Sequence, residues 1–343
     1  MTLENAYAEV KSRLDSLDFS ELWRGFHPLP FALYDEKACF FDGAYVEKTD
    51  EFTANTTIEY RGGHIAIWNM ETAPEDFDVL ASKIAHEIFH AFQEESGESR
   101  WANEMDALKN YRNSAENITG RLREAACMRA ILRDGERSRF AELLALRKAR
   151  AERFPYEYDY ESRIEQLEGS AQYVELRALE RLDEKKAARA WETLWESLAD
   201  PARYVPARMI SYSTGTALLA CIRTCSEYDA EAFTPVPFAQ GILAEAAEAA
   251  PLAAVDPRAA EAVAAYEAET RAIIDAALRK KRVVLRGKYP LASLNVATAR
   301  RDGRYAISYF FVMYRDAGTL RTLRGDFVVE LDGEDDISAV YEQ

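Results

Sequence analysis

Histidine occurs only four times in 343 residues, and two of the four stand four apart in His86-Glu87-Ile88-Phe89-His90. At this histidine content, a chance His-Glu-x-x-His arises in roughly one such sequence in two hundred. Helical side chains advance about 100° per residue, so His86 and His90 stack one turn apart and both reach toward one ion. Glu87 lies about 100° round from His86, where it can hold a metal-bound water as general base without being a ligand. The flanking residues support a helix from about 75 to 95. Phe77, Leu80, Ala81, Ile84, Ile88 and Ala91 recur at the i, i+3, i+4 spacing of one buried face, with the histidines roughly opposite. Two structural histidines satisfied in a core are the competing reading, and their projection away from the apolar stripe argues against it.

Zinc needs a third protein ligand and an open position for water. A second helix, beginning near Glu161, has a buried stripe of Ile164, Leu167, Ala171, Val174 and Ala178. Glu168 and Glu175 fall in or beside that stripe, where a carboxylate is costly unless something compensates its charge. The small residues Gly169, Ser170 and Ala171 let the two helices approach, so Glu168 is the expected third ligand. The alternative is that Glu168 pairs with an arginine such as Arg147 or Arg150. Glu175 is expected to orient a ligand from behind. Farther along, Ser211-Tyr-Ser-Thr-Gly-Thr-Ala-Leu-Leu is rich in small residues and suits close packing on the site. Its Tyr212 hydroxyl is a candidate donor to a developing oxyanion, against the ordinary alternative of a half-buried packing tyrosine.

His86-Glu-x-x-His90, Glu168-Gly-Ser-Ala-Gln-Tyr-Val-Glu175 and Tyr212-Ser-Thr-Gly215 occur in the order seen in gluzincin metallopeptidases. They most resemble the aminopeptidase branch related to thermolysin. The resemblance implies Glu168 as third zinc ligand and Tyr212 as the tyrosine of the transition state. It covers three short motifs between about 84 and 218. The 77 residues between His90 and Glu168 make a much longer helical insertion than in those aminopeptidases. Their Gly-x-Met-Glu-Asn motif for a free amino terminus is missing, and Asn69-Met-Glu71 has a different order. In zincins generally, an edge strand before the zinc helix pairs with extended substrate. His64-Ile-Ala-Ile-Trp-Asn-Met70 is placed for that role, which is β-augmentation.

Three regions carry these segments. Residues 1–73 open with a helix from Leu3 to Leu17, then turn to short β-prone runs at Phe31–Tyr34, Ala38–Phe41, Thr56–Tyr60 and His64–Trp68. Asp42-Gly43 and Gly62-Gly63 punctuate them. Residues 74–280 are helical in pattern, starting with a possible capping box at Thr72–Glu75. A long charged stretch runs from about 104 to 153, where arginines alternate with glutamates as on a solvated, ion-paired helix. Pro155 and Tyr156–Tyr160 interrupt the pattern before the helix near Glu161. An alanine-rich helix closes the region at about 257–280. Residues 281–343 change to strand period, with runs at Val283–Leu285, Ser293–Val296, Tyr305–Tyr314 and Asp326–Leu331, as a small antiparallel β module. The expected class is α+β: a zincin-like, mainly helical catalytic core between an N-terminal mixed β region and a C-terminal β module.

Composition limits the alternatives. The chain is 48% hydrophobic and 30% charged, which suits a folded protein. A net charge of −16 repels phosphate backbones and anionic lipid, so neither nucleic acid nor membrane is an expected partner. Nothing near the start resembles a signal peptide, and no apolar run is long enough to span a bilayer. Four dispersed cysteines, Cys39, Cys127, Cys221 and Cys225, favour free thiols in a reducing cytoplasm. The expectation is a zinc metallopeptidase acting on a peptide or small protein. His86, His90 and Glu168 hold Zn2+, with Glu87 as base and Tyr212 as oxyanion donor. A zincin-like binding or assembly module with a purely structural ion is the rival, and the intact Glu87 favours the enzyme.

Overall fold

The computed structural model describes residues 2–251, 253–333 and 336–343 of an α+β chain. Its first part holds α1 (Leu3–Leu14), α2 (Phe19–Leu22) and five strands: β1 (Phe31–Tyr34), β2 (Cys39–Phe41), β3 (Ala44–Val46), β4 (Thr56–Tyr60) and β5 (Gly63–Asn69). They form one mixed sheet in the order β3-β2-β1-β5-β4, with β1 and β5 parallel and the other pairs antiparallel. Two tight hairpins make this possible. Asp42-Gly43 and Arg61-Gly62 take positive φ at both central residues, the twist that a two-residue hairpin needs. The second hairpin overturns the expected edge assignment. It folds β4 onto the outer side of β5, whose other side is already paired with β1. The His64–Met70 run is therefore an interior strand and Thr56–Tyr60 is the edge, a distinction that alternation along one strand does not encode.

Helices follow: α3 (Phe77–Glu95), α4 (Glu104–Asn110), α5 (Ala115–Asp134), α6 (Phe140–Arg153) and α7 (Pro155–Ile164). A π-helical turn at Glu165–Gly169 leads into α8 (Ser170–Leu182), α9 (Glu184–Ala199), α10 (Ala207–Cys225), α11 (Phe238–Gly241) and α12 (Pro257–Lys280). The cap of α3 is Asp76, which accepts from the amides of Asp78 and Val79; Thr72 belongs to a separate 3-10 turn. The charged stretch after 104 is three helices, broken before Ser114, which caps α5, and at Gly135, which ends it with positive φ. Pro155 starts α7 instead of interrupting it, because its fixed φ and missing N–H suit the first helical turn. Tyr158 and Tyr160 then bury inside that helix.

The arginines of this region depart most from expectation. Arg121, Arg147 and Arg150 are fully buried, not solvated. Arg150 donates to Glu124 at 2.6 Å and Glu161 at 2.6 Å, and Arg147 donates to Glu124 and Glu165. Arg121 donates to Ser211 Oγ at 2.9 Å and lies 3.5 Å from Glu161. Three guanidiniums thus meet three carboxylates, so the helical insertion is tied by a neutral buried network in which each charge has partners.

One apolar cluster runs from Leu3 through the sheet and helices to Ala259, and packs α3 between β5 and α8. The last part holds β6 (Val283–Tyr289), β7 (Leu291–Leu294), β8 (Arg300–Asp302), β9 (Tyr305–Ser308), β10 (Phe311–Asp316), β11 (Thr319–Arg324), β12 (Phe327–Leu331) and β13 (Ile337–Glu342). They form two antiparallel sheets, β11-β10-β7 and β6-β13-β12-β9-β8. The expected single strand from 305 to 314 is split between them. Phe310 takes positive φ and hands the chain from one sheet to the other. The sheets enclose a separate apolar cluster around Val312, Val329 and Val340, and Ile274 and Ala277 of α12 pack on Ile307 and Val328.

Candidate metal centre

Helix α3 presents the histidines as its periodicity predicts. Leu80, Ala81, Ile84, Ile88 and Ala91 are buried, while His86 and His90 turn toward α8. Their Nε2 atoms lie 3.1 Å apart. Glu168, on the π-helical turn, brings Oε2 to 3.2 Å from His90 Nε2 and 3.7 Å from His86 Nε2. Among the described residues these three alone form a group of potential ligands with all donor atoms mutually within 4.8 Å.

The protonation pattern shows what the group needs. Gln93, one turn beyond His90, donates its amide N–H to Leu167 O and Ser170 Oγ, each at 3.1 Å. Its Oε1 must then face His90 Nδ1, at 2.7 Å, so Nδ1 donates to it and Nε2 is the nitrogen turned toward His86 and Glu168. Glu175 Oε2 lies 3.2 Å from His86 Nδ1, with Lys83 donating to its other oxygen, so a carboxylate stands behind the second ring. The two imidazole Nε2 atoms and a carboxylate oxygen therefore converge on one point. Tetrahedral zinc with bonds of about 2.1 Å separates its ligand atoms by roughly 3.4 Å, and the three observed edges bracket that figure. The residues fit a zinc ion.

The electrostatics make the same demand. Burial disfavours charge on His86, yet Glu168 and Glu175 outweigh it and raise its pKa to about 10 in the metal-free protein. His90 is raised too, burial being overcome by Glu168. Glu168 is held well below the usual carboxylate range: burial pushes it up, but His90, His86 and Arg208 prevail. The cluster thus takes up positive charge, a proton when free, which a divalent ion would displace.

Glu87 lines the same cleft, and burial raises its carboxyl, the direction a proton acceptor working near neutrality requires. Its carbonyl accepts from Thr57 Oγ1 at 2.7 Å, which ties the edge strand β4 to the histidine helix. Tyr212, on α10, stacks its ring near that of His86, with centroids 6.4 Å apart. Its hydroxyl accepts from Arg208 Nη1 at 2.8 Å. Arg208 also donates to Glu168 Oε1 at 2.9 Å, leaving Oε2 for the histidine side, and approaches Glu104 at 3.1 Å. α10 comes this close because Gly215 lies against Gly169 and the Glu165 backbone. The glycine beside Glu168 therefore admits α10, while Ser170 serves α3 through Gln93. Asn55–Glu59, His64, Glu94 and Trp101 complete a cleft of about 520 Å³.

All five expected site residues line this cleft, and Glu175 stands behind His86. Glu168 does pair with an arginine, Arg208 at 2.9 Å through Oε1, while Arg147 and Arg150 are spent on the buried network. Gln93, Arg208 and Glu104 went unread. Gln93 had one signal, a polar side chain one turn after His90, and Arg208 had another, standing one turn before Tyr212. Cys221 is buried and Cys225 half-buried in apolar company, and all four cysteines are free. No helix among the described residues is long and apolar enough to cross a membrane. No known family, curated protein or solved structure matches the chain.

Proposed function

We propose that this protein is a zinc-dependent metallopeptidase of the gluzincin type, with α3, the π-helical turn and α10 as its zincin-like catalytic core. The observation that carries the reading is the convergence of three potential ligand atoms, His86 Nε2, His90 Nε2 and Glu168 Oε2, in a cleft that also holds Glu87 and Tyr212. A zinc ion bound there supplies Lewis acidity, polarising a carbonyl and making water nucleophilic near neutral pH.

The chain's own groups do the rest. Glu87 takes the proton of the attacking water and returns it to the leaving amine. Tyr212 donates to the oxygen that gains negative charge, held in place by Arg208, which donates to its hydroxyl oxygen. Gln93 behind His90 and Glu175 behind His86 turn both Nε2 atoms toward the site. The edge of β4, anchored through Thr57, offers main-chain partners to an extended peptide or small protein. No fourth ligand joins the group among the described residues, which favours a catalytic over a structural ion.

Purified protein is expected to hold one zinc per chain and to cleave unstructured peptides. Glu87→Gln should keep that zinc while hydrolysis falls at least a hundredfold. Full activity in His86→Ala would overturn the proposal.

A further inference from the structure

We propose that Trp101 forms the subsite that selects a large apolar or aromatic side chain of the substrate, an inference that rests on the peptidase reading above. The cleft is lined chiefly by polar groups: Asn55, Thr57, Glu59, Glu87 and Glu94 surround the histidines. Ile58 packs into the apolar cluster of Phe52 and Ile65. Trp101 is the exception, a large ring lining the cleft with 42% of its surface exposed. Trp101 lines the same cleft as Arg208 and Tyr212, and Glu104, three residues on, is paired with Arg208. β4, bonded through Thr57 to the Glu87 carbonyl, borders the cleft as well.

This exposed ring is not on a loose loop. Glu98 and Arg100 are buried, and the Glu98 carboxylate accepts from the amides of Ser99 and Arg100 and from the Arg100 guanidinium. Arg100 also donates to Val236 O and lies over the ring of Phe233. The indole N–H donates to Glu98 O at 2.9 Å. The polar edge of Trp101 is thus satisfied within its own turn, and a fixed loop holds its ring bare to the cleft. A rigid aromatic plate loses little freedom on binding, which is how such residues give selectivity. A peptide extended along β4 projects alternate side chains to opposite sides, and one directed across the cleft to Trp101 meets this plate.

The test uses zinc-loaded Glu87→Gln protein, which should bind peptides without cutting them, and capped octapeptides differing only by Phe or Ala at successive positions. Fluorescence anisotropy is expected to find one position where Phe binds about tenfold more tightly than Ala. Adding Trp101→Ala should erase that preference and Trp101→Phe retain part of it, with zinc content and unfolding midpoint unchanged in both. A preference that survives Trp101→Ala, or none in the parent, overturns the subsite. The same peptides incubated with wild-type protein separate the two claims. Binding that depends on Trp101 without cleavage refutes the peptidase and keeps the subsite. Cleavage indifferent to Phe refutes the subsite alone, and peptides that neither bind nor are cut refute both.

Discussion

Gly215→Ala is expected to damage the metal centre without touching a ligand. A methyl group at Gly215 would meet Glu165 Cα and carbonyl oxygen at 2.8 Å and Gly169 Cα at 2.9 Å. Ordinary contact begins near 3.4 Å, and every atom met is backbone, so no side chain can swing away. α10 and the π-helical turn must therefore separate by roughly half an ångström. On a free helix this substitution stabilises by about 1 kcal/mol. Overpacking against rigid backbone costs about 3 kcal/mol, so a net loss near 2 kcal/mol is expected in urea unfolding. Function should fall as well. Glu168 is carried by one of the parted segments, and Tyr212 and Arg208 by the other. A misplacement of about 1 Å costs on the order of a hundredfold in rate, so half that shift should cost roughly tenfold. Zinc affinity from chelator competition, kcat on a peptide that wild type cleaves, and the unfolding midpoint would be measured together. Gly333→Ala, where a methyl group would meet nothing within 4 Å, is the control. Wild-type stability, zinc affinity and kcat in Gly215→Ala would refute the argument that glycine contact sets the site.

Gln93→Leu keeps the volume but strips the acceptor from His90 Nδ1, so zinc affinity should fall 10- to 100-fold with helical circular dichroism intact, and unchanged affinity would deny Gln93 its orienting role. Acid should loosen the helical insertion through Glu161: burial alone would raise its pKa, but Arg121, Arg150 and Tyr111 outweigh it and lower it to about 2 from an ordinary 4.5. A depressed carboxylate stabilises fully above its unfolded value and loses that contribution as pH falls, here between about pH 5 and pH 2, by on the order of 3 kcal/mol. Urea midpoints over that range, with chelator present, should decline less steeply in Glu161→Gln, and equal slopes would refute the assignment.

What could be read from the sequence was what short-range geometry dictates. A helix brings residues four apart together whatever it packs on, so His86, Glu87 and His90 were legible as one unit. The apolar stripe around Ile164 and Val174 likewise placed Glu168 toward a neighbour. The strand runs at 31–34, 56–60 and 64–68 followed from composition and turns. Partners brought together by packing were not legible. That β4 and not β5 is the edge depends on which side of β5 a hairpin folds back. Arg121, Arg147 and Arg150 alternate with glutamates as a solvated helix would, and only the bundle closing round them buries them beside Glu124, Glu161 and Glu165. Gln93 and Arg208 owe their places to Leu167 and Glu168, 74 and 40 positions away in the chain, and the loop of Trp101 is held through Arg100 by Val236, 136 positions away. Spacing along a helix predicts which side chains share a face, but whether a charge faces water, a metal or another charge is decided when that face is covered.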